Sequence, residues 1–147
     1  MESLQQKLVS AWTKTNAIYA KAATALGVSY PELMVLYALA TMEEVKQKQI
    51  AENFGLQKQT VNTVIKALSQ RELVQLAPSE ADKREKIILL TESGKKYAQS
   101  IVTPLRQAED KVYKSIGAEK LRAMYEVEEL INLLLEKEVT EGLTHEP

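Results

Sequence analysis

The sequence predicts a mainly α-helical protein with a small β-hairpin, arranged as a winged helix-turn-helix flanked by terminal helices. Over most of the 147 residues, apolar side chains recur every three or four positions, which is the period of an amphipathic helix. Between residues 73 and 90 the pattern changes to two short apolar runs around a polar loop, which is typical of a hairpin. Two short helical segments joined by a glycine-containing turn come directly before that hairpin.

Turn-forming residues delimit the first two predicted helices. Apolar residues at helical spacing run over 4–26, and Gly27 ends this helix. The segment Ser29–Glu32, Ser-Tyr-Pro-Glu, is typical of a helix start. Proline is tolerated in a first turn, and the acid lies near the positive end of the helix. The second helix is expected to continue to about Thr41.

The next two predicted helices, 47–54 and 57–70, are short and pack as a pair. Gly55 lies in the turn between them, where a positive φ is least costly for glycine. Ala51 is small where the two helices must approach each other. The apolar set expected to hold the pair together comprises Ile50, Phe54, Leu56, Val61, Val64 and Ile65.

The hairpin and two further helices complete the predicted order. Strands are expected at 73–76 and 86–90, with a long charged tip at 78–85. Thr91 caps a long helix over 92–115.

Pro104 removes one backbone donor from that helix, which predicts a kink there. Gly117 breaks the chain before a last amphipathic helix at about 118–138. We expect one domain over 1–147, with a winged helix-turn-helix region at 29–98 and terminal helices within 1–28 and 99–147.

The second helix of the short pair presents amides, hydroxyls and ammonium groups outward. These groups hydrogen-bond base edges and neutralise phosphates. No acid occurs between residues 53 and 71, although the chain contains 20 Asp and Glu. The pattern favours a helix that reads double-stranded DNA over a merely solvent-facing helix. The predicted contacts on this helix are Gln57, Lys58, Gln59, Thr60, Asn62, Thr63 and Lys66.

The charge is distributed unevenly along the chain. Net charge is −1, but residues 46–86 carry eight Lys or Arg and five Asp or Glu. Within 46–71, five basic residues face Glu52 alone. Local charge governs contact with DNA, because salt screens fields beyond ~8 Å. A surface that is uneven by chance remains the alternative.

Composition argues against an enzyme or a metalloprotein. There is no cysteine, which removes disulfides, zinc–thiolate sites and thiol redox sensing. The only histidine is His145, too little for a histidine metal site or a Ser-His pair. Gly94-Lys95 lacks the upstream glycine of a phosphate loop. We therefore expect no catalysis, no metal and no cofactor.

The hydropathy pattern indicates a cytoplasmic protein with no membrane partner. No run of 18 apolar residues is present. The N-terminus also lacks a basic and then apolar leader.

The chain resembles the multiple-antibiotic-resistance-regulator (MarR) family of bacterial transcription factors over nearly its whole length. The matching segments are Ser29–Ala40, Lys48–Leu68 and, most specifically, Asp82–Gly94, with sequence Asp-Lys-Arg-Glu-Lys-Ile-Ile-Leu-Leu-Thr-Glu-Ser-Gly. The resemblance implies that the predicted hairpin is the wing of the fold. It also implies that Arg84, at the tip of this wing, enters a DNA minor groove and that Asp82 orients Arg84 or a neighbouring backbone group. A surface ion pair between these two residues is the alternative. The predicted wing contacts are Lys83, Arg84 and Lys86.

Two residues depart from the family pattern. Glu72 stands where the family commonly has glycine after the recognition helix, which predicts a different helix-end geometry. Thr63 stands where arginine is frequent, which removes a potential phosphate or base contact. Both departures argue against transferring a particular operator sequence to this chain.

The terminal helices predict a homodimer. A monomer would expose the apolar stripes of 4–26 and 118–138, which are larger than a soluble surface usually tolerates. In the family these helices interlock between two subunits, so that two recognition helices lie about one DNA turn apart. Packing of the two helices within one chain is the alternative. The predicted dimer residues are Leu4, Leu8, Leu121, Tyr125, Leu130, Ile131 and Leu134.

A small aromatic or phenolic effector is implied only by the resemblance. Met34 and Tyr37 share one face of the second helix, and Trp12 and Tyr19 can approach the same space. Core or dimer packing is the alternative for all four residues.

The sequence leaves four hypotheses for the function of the whole chain. They are an effector-responsive repressor, a regulator or activator without a ligand, a winged-helix module that binds protein and, as the poorest, an enzyme.

Overall fold

The computed structural model describes residues 2–143, and His145 lies outside them. The described part contains six helices and one two-stranded antiparallel sheet, which confirms the predicted fold class and element order. The elements are α1 (Leu4–Ala25), α2 (Tyr30–Thr41), α3 (Gln47–Asn53), α4 (Lys58–Gln70), β1 (Val74–Pro78), β2 (Lys86–Leu90), α5 (Glu92–Ile116) and α6 (Ala118–Leu143).

Two element ends differ from the predicted bounds by more than one residue. The strand β1 continues to Pro78, which pairs with Lys86 at the tip end of the hairpin. Proline fits there because the last residue of an edge strand need not donate to the ladder. The helix α6 runs to Leu143 rather than to residue 138. Pro104 lies within α5, which continues from Glu92 to Ile116, and the kink at Pro104 stays a prediction.

The chain divides into two compact units, Met1–Leu105 and Arg106–Pro147. The first unit holds α1 to α4, the hairpin and the start of α5, and the second holds the end of α5 and α6. No single helix among residues 2–143 is long and apolar enough to cross a membrane. Only the pair of α1 and α2, which is bent by 89°, together has the length and the apolar composition of a membrane span.

The core of the first unit is built around α2. Leu33, Val35 and Leu36 of this helix are fully buried, because α2 packs against α1, α3, α4 and β2. Ile50 of α3 and Val61 of α4 are also fully buried and join the two short helices. Ala51 is buried as well, as expected for a small residue at a close helix approach. The other members of the predicted apolar set are buried or packed against the core: Phe54, Leu56, Val64 and Ile65.

The turn between α3 and α4 has the predicted glycine geometry. Gly55 has a φ of 61°, in the left-handed region that glycine adopts without steric cost. Leu56 N then donates to the carbonyl of Ala51, which satisfies an otherwise unpaired group at the end of α3. The chain is thereby turned directly into α4.

The helix end at Glu72 corrects the sequence prediction. Glu72 has a φ of 57°, the left-handed conformation that a glycine would take. Glu72 N donates to Ser69 O and Leu73 N donates to Leu68 O, the pair of hydrogen bonds of a Schellman motif. The prediction of a different helix-end geometry was therefore wrong. The two hydrogen bonds offset the steric cost of a left-handed conformation at a residue other than glycine, which is about 1–2 kcal/mol.

The start of α5 is held against the end of α4 by a compact junction. Thr91 N donates to Leu73 O at 3.0 Å, and the Thr91 hydroxyl donates to Glu72 O at 2.7 Å. The same hydroxyl accepts from Gly94 N at 3.0 Å, which confirms Thr91 as the helix cap. A Cβ at Gly94 would lie 1.8 Å from Leu73 O, so only glycine fits this approach. The Leu-Thr-x-x-Gly segment is thus a packing device that joins α5 to the hairpin.

Candidate nucleic-acid interface

The helix α4 has one buried and one polar face. Its apolar residues recur at helical spacing and are buried: Val61, Ile65 and Leu68. Five of the predicted contact residues are exposed: Gln57, Lys58, Gln59, Thr63 and Lys66. Thr60 and Asn62 are partly exposed at the edges of this polar face. The structure therefore brings all seven predicted residues to one helix, with Gln57 as its N-cap.

Ion pairs reduce the local positive charge that the sequence suggested. Lys46 pairs with Glu85, Arg71 Nη1 lies 3.2 Å from Glu32 Oε1, and Lys48 Nζ lies 3.7 Å from Glu52 Oε1. The two remaining basic residues of 46–71 are Lys58 and Lys66. Among residues 2–143 neither forms an ion pair. The uncompensated charge of this segment thus lies on the outward face of α4.

The wing tip is a loop with several internal hydrogen bonds. Asp82 Oδ1 accepts from Arg84 N at 2.9 Å, so its carboxylate shapes the backbone of the tip. Glu85 N donates to Asp82 O at 2.9 Å, and Ser79 N donates to Glu85 O at 2.8 Å. Ser79 is buried, and its hydroxyl accepts from Ala81 N. These bonds leave the side chains of three predicted wing contacts exposed: Lys83, Arg84 and Lys86.

Two attachments connect the wing to the start of α3. Ile88 N of β2 donates to Val45 O at 2.8 Å, forming an isolated antiparallel bridge. The ammonium of Lys46 donates a hydrogen bond to the carboxylate of Glu85. That hydrogen bond is the main reason that the pKa of Lys46 is raised above its ordinary value. Sequence reasoning missed this contact, because 39 positions separate its partners.

Comparison with known proteins identifies the family. The MarR family model matches residues 26–85. HTH-type transcriptional regulator MgrA of Staphylococcus aureus is 30% identical over 112 residues, which cover 76% of this chain and 74% of that protein. The chain belongs to the MarR family. It is therefore a transcription regulator with a winged-helix DNA-binding fold, and its family is not one of enzymes.

The chain is also similar to a further regulator and to two solved structures. HTH-type transcriptional repressor NicR of Pseudomonas putida is 26% identical over 132 residues, 89% of this chain and 84% of that protein. NMB1585, a MarR family regulator from Neisseria meningitidis, superposes with a TM-score of 0.84 at 29% identity, covering 96% of this chain and 99% of that one. CouR from Rhodococcus jostii RHA1, solved with p-coumaroyl-CoA, shares the fold: its TM-score is 0.69 at 20% identity, over 88% and 92% of the two chains.

The terminal helices of this MarR family protein carry exposed apolar side chains. In the second unit, α6 buries none of its residues, and Tyr125, Leu130 and Leu134 are more than half exposed. Leu121 and Ile131 of the same helix are partly exposed. In the first unit, α1 exposes Leu4 and, to a smaller extent, Leu8.

The four aromatic and sulfur residues predicted for an effector pocket have different environments. Met34 is buried in the core of the first unit. Tyr37 is half-buried and makes an edge-to-face contact with Phe54, with ring centroids 6.2 Å apart. Trp12 and Tyr19 of α1 are half-buried.

The first unit also has a cleft of about 690 Å³ at a different place. It lies between the end of α2, the hairpin and the start of α5, where its lining includes Met42, Gln75, Leu90 and Lys95. None of the four predicted effector residues lines it.

A second cluster that sequence reasoning missed surrounds the end of α4. The Tyr97 hydroxyl donates to Glu32 Oε1 at 2.7 Å, and the Arg71 guanidinium lies 4.5 Å from the centre of the Tyr97 ring. Burial is the main cause that raises the pKa of Tyr97. This MarR family protein thus links α2, the end of α4 and α5 through three side chains. No local sequence pattern predicts this contact, because the three residues belong to different elements.

Proposed function

We propose that the protein binds duplex DNA as a homodimer and regulates transcription from an inverted-repeat operator. The observation that carries the proposal is the outward face of α4. It combines amides and hydroxyls with the two uncompensated lysines, Lys58 and Lys66. An α-helix fits the major groove, where amide side chains discriminate bases and ammonium groups contact phosphates.

The wing supplies the second part of the proposed interface. Its tip holds Lys83 and Arg84 exposed on a hydrogen-bonded loop, and Lys86 is exposed at the start of β2. A guanidinium on such a tip suits a narrow A·T-rich minor groove, where the negative potential is strongest. In this proposal α4 specifies bases and the wing reads the shape of the flanking DNA.

The exposed apolar side chains of α1 and α6 support a dimer. A large continuous apolar surface on a soluble protein usually marks an interaction site. A second copy of the chain is the proposed partner, since two-fold symmetry lets the same apolar helix cover its equivalent. Two recognition helices would then meet successive major grooves.

Selection of bound duplexes from a random pool tests this function, and single variants then assign the contacts. We expect inverted repeats with half-site centres ~10–11 bp apart.

Gln59→Ala and Asn62→Ala should lose ~1–3 kcal/mol of discrimination at particular base pairs. Lys58→Ala should weaken all duplexes similarly and flatten the salt dependence, because a phosphate contact acts through counterion release. Arg84→Ala should affect only A·T-rich flanks.

Fluorescence anisotropy at several salt concentrations measures these effects, with circular dichroism as the check on folding. Lys120→Ala on α6 serves as the control for Lys58→Ala, since it removes the same charge far along the chain. A pool that yields only direct repeats or single half-sites would contradict the symmetric dimer. Binding to protein but not to any duplex would favour the protein-binding alternative.

We further propose that a small aromatic or phenolic molecule modulates DNA binding. The support is that Trp12, Tyr19 and Tyr37 of the first two helices are half-buried. Aromatic rings with partial exposure are typical of pockets for planar apolar ligands. CouR, which has the same fold, binds an aromatic acyl thioester. Such an effector would act by favouring one conformation of the protein over another.

The response to p-coumarate tests the effector proposal. We expect it to weaken the DNA complex about fivefold or more, as a typical coupling between two sites does. Hexanoate, which has the same charge but no ring, should have no effect. Trp12→Leu should keep DNA binding and lose the response. A complex that is indifferent to a panel of phenolic acids would favour a regulator without a ligand.

A further inference from the structure

We propose that Glu85 is a positioning residue for DNA recognition, which holds the wing against the start of α3 through its ion pair with Lys46. Arg84 is the adjacent residue, so its reach into the minor groove would depend on this contact. The inference rests on the proposed function of the wing and assigns the device that sets its position relative to α4.

Both partners of the pair are fixed by their own backbones. Glu85 donates its amide to Asp82 O and accepts from Ser79 N with its carbonyl, which anchors the residue within the tip. Lys46 is the N-cap of α3, where its amide donates to Gln49 Oε1 at 2.9 Å and its carbonyl accepts from Ile50 N. The ion pair therefore joins two well-defined pieces of backbone rather than two free side chains.

The pair adds a second point of attachment to the wing. The Val45–Ile88 bridge holds β2 inside the strand, whereas Glu85 lies just outside the strand, at the tip. A hairpin held at one point can pivot about it, but a second point restricts that motion. Because Arg84 lies beyond the bridge, the ion pair with Lys46 is the contact that limits the pivoting of Arg84 relative to α3.

The electrostatic setting favours this arrangement. Lys46 stands at the positive end of α3, where an uncompensated cation is unfavourable. The Glu85 carboxylate compensates that charge, and its hydrogen bond raises the pKa of Lys46. The side chains remain 33% and 50% exposed, so the pair contributes little to global stability. Its effect is expected in the position of the wing.

A carboxylate beside DNA normally opposes binding, because it repels the phosphates. The two possible roles of Glu85 therefore predict opposite changes in DNA affinity when its charge is removed. If Glu85 were only a surface carboxylate, Glu85→Gln would strengthen DNA binding by removing repulsion from phosphates. If Glu85 positions the wing, the same substitution weakens binding despite the lost negative charge. Glu80→Gln is the matched control, because Glu80 is an exposed carboxylate of the same tip.

The experiment measures binding of the full chain to a duplex selected from the random pool, at one fixed salt concentration. We expect Glu85→Gln to weaken binding about three- to fivefold, the scale of an exposed ion pair, while Glu80→Gln leaves it equal or stronger. In an Arg84→Ala background Glu85→Gln should no longer weaken binding. Lys46→Glu alone should weaken binding most, and Lys46→Glu with Glu85→Lys should recover most of that loss.

Hydrogen exchange without DNA separates this inference from the proposed function. Glu85→Gln should speed exchange at the amides of residues 81 and 84–85 relative to Glu80→Gln. If Arg84→Ala binds like the parent protein, the proposed wing contact fails, and faster exchange still supports the attachment of the wing. Stronger binding of Glu85→Gln, equal weakening in both Arg84 backgrounds, no recovery in the charge swap, or unchanged exchange would each overturn the inference.

Discussion

Gly94→Ala should lower the free energy of unfolding by about 3 kcal/mol, the upper part of the range for overpacking a tight site. The new Cβ would lie 1.8 Å from the carbonyl oxygen and 2.8 Å from the carbonyl carbon of Leu73. Both are backbone atoms, which cannot rotate away as a flexible side chain can. The start of α5 would have to withdraw from the hairpin, and the bonds of Thr91 to Glu72 and Leu73 would lengthen.

Urea unfolding followed by circular dichroism measures this loss, with Gly142→Ala as the control. Gly142 lies in α6 and has nothing within 4 Å of its would-be Cβ. The same substitution there should stabilise the protein by up to ~1 kcal/mol, because alanine is the better helix former. Opposite signs for one chemical change would identify the junction at Leu73 as the cause. Equal effects at the two glycines would contradict the packing account.

Leu130→Lys combined with Leu134→Lys should abolish the dimer and, with it, tight binding to the full operator. The two leucines are 54% and 53% exposed on α6, which suits a face that a second copy covers. An ammonium group placed in such an interface would lose its hydration without gaining a partner, and this costs several kcal/mol. Loss of the dimer removes the simultaneous contact of two recognition helices, so binding to the full inverted repeat should fall to that of one half-site.

Sedimentation equilibrium measures the mass at micromolar concentration, where we expect about twice 16.5 kDa for the parent protein and 16.5 kDa for the double variant. Glu43→Lys is the control. It also raises the net charge by two, but at an exposed position between α2 and α3, outside the predicted dimerisation helices. The control should remain dimeric and bind DNA. A parent protein that is monomeric throughout this range would refute the dimer.

The sequence alone determined the element order and the polar face of α4, because both depend on local periodicity. Apolar residues at steps of three and four predicted the helices, and the change to short apolar runs predicted the hairpin. Ser29 and Thr91 begin their helices where expected, since a cap needs only its own side chain and a nearby backbone amide. The outward position of Gln59 followed from the helical period once Val61 and Ile65 were assigned to the core.

Tertiary structure alone decided which residues meet across the sequence. It pairs Lys46 with Glu85 and Arg71 with Glu32, so that the positive segment keeps its uncompensated charge on Lys58 and Lys66. It also gives Glu72 a left-handed conformation, whose cost is offset by hydrogen bonds to α4 and by the junction with Thr91. The physical reason is common to these cases: each depends on the distance between groups that the chain brings together only after folding, and periodicity carries no such distances.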